Sequence, residues 1–290
     1  ITPIIGCMKI TDDLAKAGTI ISQVTDILTA PELSRPETDV QTPQGSTVEL
    51  HGVHFGYGDT EVLHGIDLIF REGTVNALVG PSGSGKSTIA KLIASFWDVG
   101  SGSITVGGAD IRNISAGHYN RLVAYVSQDN YLFDNTVREN IRMGKPDATD
   151  DEVENAARSC GCYEFIMGLE NSFDTIAGSG GGHLSGGEMQ RISIARAMMK
   201  DAPIIILDEA TANVDPENGK ELMDAISELT HEKTVIMIAH RLKTVRSADQ
   251  IIVVDKGRIV QRGTHKELMQ ADGIYRSFIT GREKAVGWKL

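Results

Sequence analysis

Residues 80–88 read Gly-Pro-Ser-Gly-Ser-Gly-Lys-Ser-Thr. The spacing fits G-x-x-x-x-G-K-[ST] at Gly80, Gly85, Lys86 and Ser87, a pattern built to grip a chain of phosphates. Gly80, Pro81, Ser82, Gly83, Ser84 and Gly85 form the loop. Its glycines let the backbone bend so that successive N–H groups point at phosphate oxygens. The helix that follows aims its positive end at the same oxygens. Lys86 is expected to reach the β- and γ-phosphates. Ser87 offers its hydroxyl to Mg²⁺, and Thr88 is placed for the α-phosphate.

A second cluster ends the run Ile204-Ile-Ile-Leu-Asp208-Glu209. Four apolar residues followed by two carboxylates describe a buried strand that delivers acids to its carboxyl end, where α/β sheets bind ligands. Asp208 is expected to hold Mg²⁺ through water, and Glu209 to orient and polarise an attacking water. Each cluster also has a plainer reading, as a glycine turn or as a strand ending in Asp, which their joint presence disfavours.

The elements needed to position them are legible. Residues 74–79 form a short apolar run suited to a buried parallel strand. Ile89, Leu92, Ile93 and Phe96 then recur at helical spacing. Val48–Phe55 and Val62–Phe70 alternate like antiparallel strands. Residues 101–108 resemble a hairpin arm, and residues 251–262 a hairpin turning at Lys256-Gly257. Residues 136–170 have a helical pattern with an acidic start at Asp150 and Asp151. Asp215-Pro216-Glu217 opens a helix, and Thr264 with Glu267 caps a last one. Gly281 to Leu290 read as a tail.

Residues 184–191, Leu-Ser-Gly-Gly-Glu-Met-Gln-Arg, add a third feature. Ser185 followed three residues later by Glu188 is a capping box. A helix start with Gly186 and Gly187 is a second anion-binding end. With the phosphate loop upstream, this stretch resembles the signature of the ABC transporter ATP-binding domain. The resemblance covers roughly residues 46–280. It implies an α/β fold: a P-loop NTPase core, an antiparallel β subdomain, and an inserted α-helical subdomain (about 130–195) carrying the signature. The cofactors it implies are ATP and Mg²⁺.

The same resemblance assigns further residues. Tyr57 stacks on adenine. Gln128 touches Mg²⁺ and senses the transmembrane part. Asp215 lies in the loop that crosses a dimer, and His240 contacts the γ-phosphate. Two such domains face each other head to tail, so that Ser185, Gly186, Gly187 and Glu188 of one close over the ATP of the other. The implied partners are a second nucleotide-binding domain and a transmembrane domain of the same full-length chain. Two departures stand out. The family usually has Gln where this chain has Glu188. Exporter-type members usually carry Thr-x-Val-Gly-Glu-Arg-Gly before the signature, where this chain has Thr175-Ile-Ala-Gly-Ser-Gly-Gly181.

Ile10, Leu14, Ala17, Ile21, Val24 and Leu28 mark one apolar helix face ending before Pro31. Residues 1–29 resemble the cytosolic end of a last transmembrane helix, 30–47 a linker, and 48–280 the ATP-binding domain. The chain starts without Met, carries no secretory signal, and reads as a piece of something longer. No stretch approaches 18 apolar residues, so a soluble fragment is expected. The resemblance implies that the full-length protein lies at the cytoplasmic face of the cell membrane.

The net charge of −11 disfavours nucleic acid as a partner. Three cysteines do not suggest a disulfide framework. Cys160-Gly-Cys162 lacks the Cys/His pair that a metal site would add, and reads as packing. His51 and His54 read as turn and strand residues. Two rivals to a transport ATPase are a soluble ABC-type ATPase of the DNA-maintenance class and a catalytically silent half of a heterodimer. The short gap between loop and signature and the acidic charge oppose the first. The presence of Glu209 and His240 opposes the second.

Overall fold

The computed structural model describes residues 2–29, 32–178, 184–208, 219–238 and 245–287, except the side chains at 2–12, 26, 219–224 and 282–287. In chain order the elements are α1 (Thr2–Leu28), β1 (Val48–Tyr57), β2 (Thr60–Phe70), β3 (Val75–Val79), α2 (Lys86–Ile93), β4 (Ser101–Val106) and β5 (Ala109–Asp110). Then come α3 (Ala116–Leu122), β6 (Val123–Val126), α4 (Val137–Arg142), α5 (Asp150–Ser159), α6 (Tyr163–Met167) and α7 (Gly186–Lys200). The chain continues with β7 (Ile204–Asp208), α8 (Gly219–Thr230), β8 (Thr234–Ile238), β9 (Gln250–Asp255), β10 (Arg258–Gly263), α9 (His265–Gln270) and α10 (Ile274–Gly287).

Two sheets result. One is antiparallel, ordered β2-β1-β4-β5; the other runs β10-β9-β3-β8-β7-β6, with β3, β6, β7, β8 and β9 parallel. The period of two explains both. On β1, Val48, Leu50, Val53 and Phe55 turn inward. They pack with Ile89, Leu92 and Ile93 of α2 and with Ile204, Ile206, Ile236 and Ile252 from one face of the parallel sheet. The alternate residues Ile205, Leu207, Val235, Ile251 and Val253 face a second core with Ile192, Ile194, Val137, Ile141 and Val153 from the helices. A strand buried on both faces has to be apolar throughout, as Ile204–Leu207 is. Each such side chain contributes about 1.5–3 kcal/mol on burial.

The helices start where the sequence supplies caps. Reciprocal capping boxes join Thr149 to Glu152, Ser185 to Glu188 and Thr264 to Glu267. Thr264 does not cap the last helix, however. α10 follows and runs through Gly287, over residues expected to be tail. Tyr275 and Ile279, four apart and fully buried, dock it on the second core, so Gly281 does not end it.

Residues 1–34 and 35–290 are separate compact units. In the first, α1 presents Leu14, Ile21, Val24 and Leu28 exposed on one face, with Ile20 and Ile27 beside them. Among the described residues no helix is long and apolar enough to cross a membrane. In the second unit, residues 35–47 are fastened rather than loose. The Arg35 guanidinium reaches Asp98 Oδ1 at 2.6 Å and Ser95 Oγ at 2.8 Å. Asp39 accepts from Ser115 N–H (2.8 Å) and Ser115 O–H (2.7 Å) and pairs with His118 Nδ1 at 2.5 Å.

Candidate nucleotide site

The phosphate loop joins the end of β3 to α2. Gly80, Gly83 and Gly85 have φ of 145°, 73° and 106°, a region that strains any side chain. A Cβ on Gly80 would meet the carbonyl of Val254, and one on Gly85 would lie 2.7 Å from Leu63 Cδ2. The loop is therefore wedged between β2 and the β9–β10 hairpin. Gly257 locks it: its N–H donates to Ser84 O at 3.0 Å, and its carbonyl accepts from His64 N–H at 3.0 Å.

Lys86 is buried, with its ammonium folded over the loop. Its Nζ donates to Pro81 O (2.7 Å), Gly80 O (3.1 Å) and Ser84 Oγ (3.3 Å). Phosphate oxygens are stronger acceptors than these carbonyls, because both partners are then charged. Ser87, one residue on, donates to Asp208 Oδ1 at 3.2 Å. The two motifs, far apart in sequence, thus converge at one point. Thr88 is buried in the first turn of α2.

A hydroxyl beside a carboxylate is an oxygen donor set suited to Mg²⁺, and a Cβ on Gly83 would meet nothing within 4 Å, so the loop is open there. The residues present therefore fit MgATP. Asp208 is buried at the end of β7. Its other oxygen accepts from Tyr125 O–H at 2.6 Å. Burial and this carboxylate push the Tyr125 phenol well above its ordinary value. No motif marks Tyr125; the pairing of β6 with β7 is what brings it to Asp208.

Tyr57 ends β1, 42% exposed. Its ring sits edge-on to Trp97 at 5.4 Å and to Phe55 at 5.0 Å. Trp97, also missed, widens this aromatic shelf. Gln128 is exposed in the turn after β6. Beyond it, Tyr131 and Phe133 are exposed and stacked edge-on at 5.1 Å. They border a groove of about 280 Å³ that Tyr125, Met143 and Arg196 also line. Arg196 fixes this wall, with Nε donating to Asn140 O (2.8 Å) and Nη2 to Asn140 Oδ1 (2.9 Å). Asn140 in turn bonds Phe133 N–H at 2.9 Å.

At the signature, Ser185 caps α7, and Gly186 and Gly187 form its first turn. The Glu188 carboxylate turns back to Ser185 N–H at 2.7 Å. Glu209, Asp215 and His240 lie outside the described residues, as do Ser179, Gly180 and the expected helix opening at Asp215-Pro216-Glu217. Cys160 and Cys162 are buried in the second core. His54 is a strand residue whose Nδ1 pairs with Glu61 Oε1 at 2.7 Å.

This architecture is a P-loop nucleotide-binding domain with an antiparallel sheet on one side and a helical part on the other. The chain belongs to the ABC transporter family, whose profile matches residues 63–212, and what it carries is that family's ATP-binding domain. It is 44% identical over 247 residues to the ATP-dependent lipid A-core flippase of Desulfotalea psychrophila, spanning 85% of this chain and 43% of that protein. It is 49% identical over 241 residues to the mycobactin import ATP-binding/permease protein IrtA of Mycolicibacterium smegmatis, spanning 82% of this chain and 28% of that one. The structure of a bacterial Atm1-family ABC exporter with ATP bound superposes with a TM-score of 0.83 at 35% identity, covering 92% of this chain and 47% of the exporter. The chain spans less than half the length of each of these relatives.

Proposed function

We propose that this chain hydrolyses ATP, as the motor domain of an ABC membrane transporter. The observation that carries the reading is the Ser87–Asp208 contact, which joins the phosphate loop to the acidic strand end. Lys86 and the loop N–H groups would hold the β- and γ-phosphates. Ser87, Asp208 and Gln128 would hold Mg²⁺, which neutralises phosphate charge when bound. Glu209 would orient the attacking water, and His240 the γ-phosphate. Tyr57 would stack on adenine.

Capped and glycine-lined, the start of α7 supports a role as an anion-binding end for the ATP of a second domain, with Asp215 in the crossing loop. Hydrolysis would then require two domains head to tail. The exposed Tyr131–Phe133 pair beside Gln128 supports contact with a transmembrane domain of the same full-length protein, at the cytoplasmic face of the cell membrane.

The test is the dependence of Mg²⁺-stimulated ATP hydrolysis on protein concentration. A rate per molecule that rises with concentration is the expected result. ATP turnover absent at every concentration, with or without a membrane domain supplied, would overturn the reading.

A further inference from the structure

Tyr125 belongs to β6, the edge strand of the parallel sheet next to β7. Its hydroxyl crosses to the end of β7 and donates to Asp208 Oδ2 at 2.6 Å, while Ser87 occupies Oδ1. Both oxygens of a buried carboxylate are thus addressed from opposite sides. The phenol ring is itself held, with Phe96 edge-on at 5.1 Å. Phe96 follows the phosphate-loop helix, so the same segment that carries Ser87 also braces the tyrosine.

We propose that Tyr125 is a positioning residue for the metal: it fixes the Asp208 carboxylate so that the oxygen beside Ser87 is the one presented to Mg²⁺. This rests on the reading of Ser87 and Asp208 as the metal-holding pair. A carboxylate without this bond leaves one oxygen buried and unsatisfied, and it turns to find a partner. Hydrogen bonds that orient a metal-holding group are typically worth about 10- to 100-fold in metal affinity. Tyr125 acts through Asp208, the group its hydroxyl is bonded to, so its effect is read on the metal. The electrostatic side of the bond works the other way, since a donor on the carboxylate draws charge from the metal. A loss of affinity on removal therefore identifies orientation as the larger effect.

The test is Mn²⁺ titration of the ATP-loaded protein, followed by electron paramagnetic resonance. Parent, Tyr125→Phe and Asp208→Ala are compared, with ATP affinity measured by calorimetry in chelator and thermal unfolding as controls. Tyr125→Phe keeps the ring and its packing on Phe96. The expected result is an approximately 10-fold loss of Mn²⁺ affinity in Tyr125→Phe, with metal-independent ATP affinity and melting temperature unchanged. Parental Mn²⁺ affinity in Tyr125→Phe, with a loss in Asp208→Ala, overturns the proposal and leaves the site reading intact. Parental affinity in both variants overturns the site reading itself. An equal loss of ATP affinity in chelator makes Tyr125 structural and overturns the proposal.

Discussion

Ser185 and Glu188 satisfy each other: the Glu188 carboxylate accepts from Ser185 N–H at 2.7 Å, and Ser185 Oγ accepts from Glu188 N–H at 3.3 Å. The family's usual Gln can make the same pair of bonds without the charge. The negative charge at this position is therefore spent on the helix start rather than held over open solvent. Glu188→Gln is expected to cost stability by about 0.3–1 kcal/mol, the value of one charge at a helix N-terminus. The same substitution tightens ATP-driven pairing of two domains by roughly 2- to 5-fold, since the positive helix end is no longer partly neutralised. Denaturant titration reads the first change, and sedimentation with ATP reads the second.

Tyr57→Ala removes the ring proposed to stack on adenine but leaves the phosphate loop. ATP affinity is expected to fall by about 1–3 kcal/mol, the usual value of one base–aromatic stack. Inorganic triphosphate, which has no base, binds as before. Trp97, against Tyr57, supplies a fluorescence change on ATP binding that Tyr57→Ala diminishes.

Glu209→Gln keeps the shape of the side chain and removes its charge. Hydrolysis is expected to fall about 100-fold or more, while ATP still draws two domains together. Size-exclusion chromatography with ATP and Mg²⁺ checks this by the appearance of a stable dimer.

Asp39 fastens the segment before β1. The bond to His118, then those from Ser115, hold its pKa down at about 2, against an ordinary 3.8. A depressed carboxylate pKa stabilises the fold above the ordinary value, and that contribution is lost as pH falls through the native one. Asp39→Asn is therefore expected to lower the urea midpoint at about pH 5. The difference from the parent shrinks as pH drops from 3.8 to about 2.

Burial pushes both core thiols up, that of Cys162 to about 12. Thiolate, the reactive form, is scarce at neutral pH under those conditions. Alkylation of Cys160 and Cys162 is expected only after denaturation, which peptide mapping by mass spectrometry tests.

Chemistry that constrains spacing was legible in the sequence. Phosphate binding requires glycines at fixed steps, and a strand buried on both faces must read as Ile204–Leu207 does. Caps were equally clear, because Ser185–Glu188 and Thr264–Glu267 act over three residues. Contacts made across the fold were not. A tyrosine in Val-Ala-Tyr-Val carries no mark of the aspartate on the neighbouring strand. Asp39 reads as linker until α3 is seen to sit over it. Helix α10 was hidden by Gly281, whose cost in a helix is only about 1 kcal/mol, less than the docking of Tyr275 and Ile279 returns.

Gly257 extends the map of damaging positions beyond the recognised motifs. It turns the β9–β10 hairpin at φ 71°, where a Cβ would press on the Val62 carbonyl and lie 2.8 Å from His64 Cδ2. Because its N–H grips Ser84, any side chain there disturbs the phosphate loop from behind. In a genetic screen, a Gly257 allele would mimic a lesion in the loop itself and be suppressed by the same compensating changes.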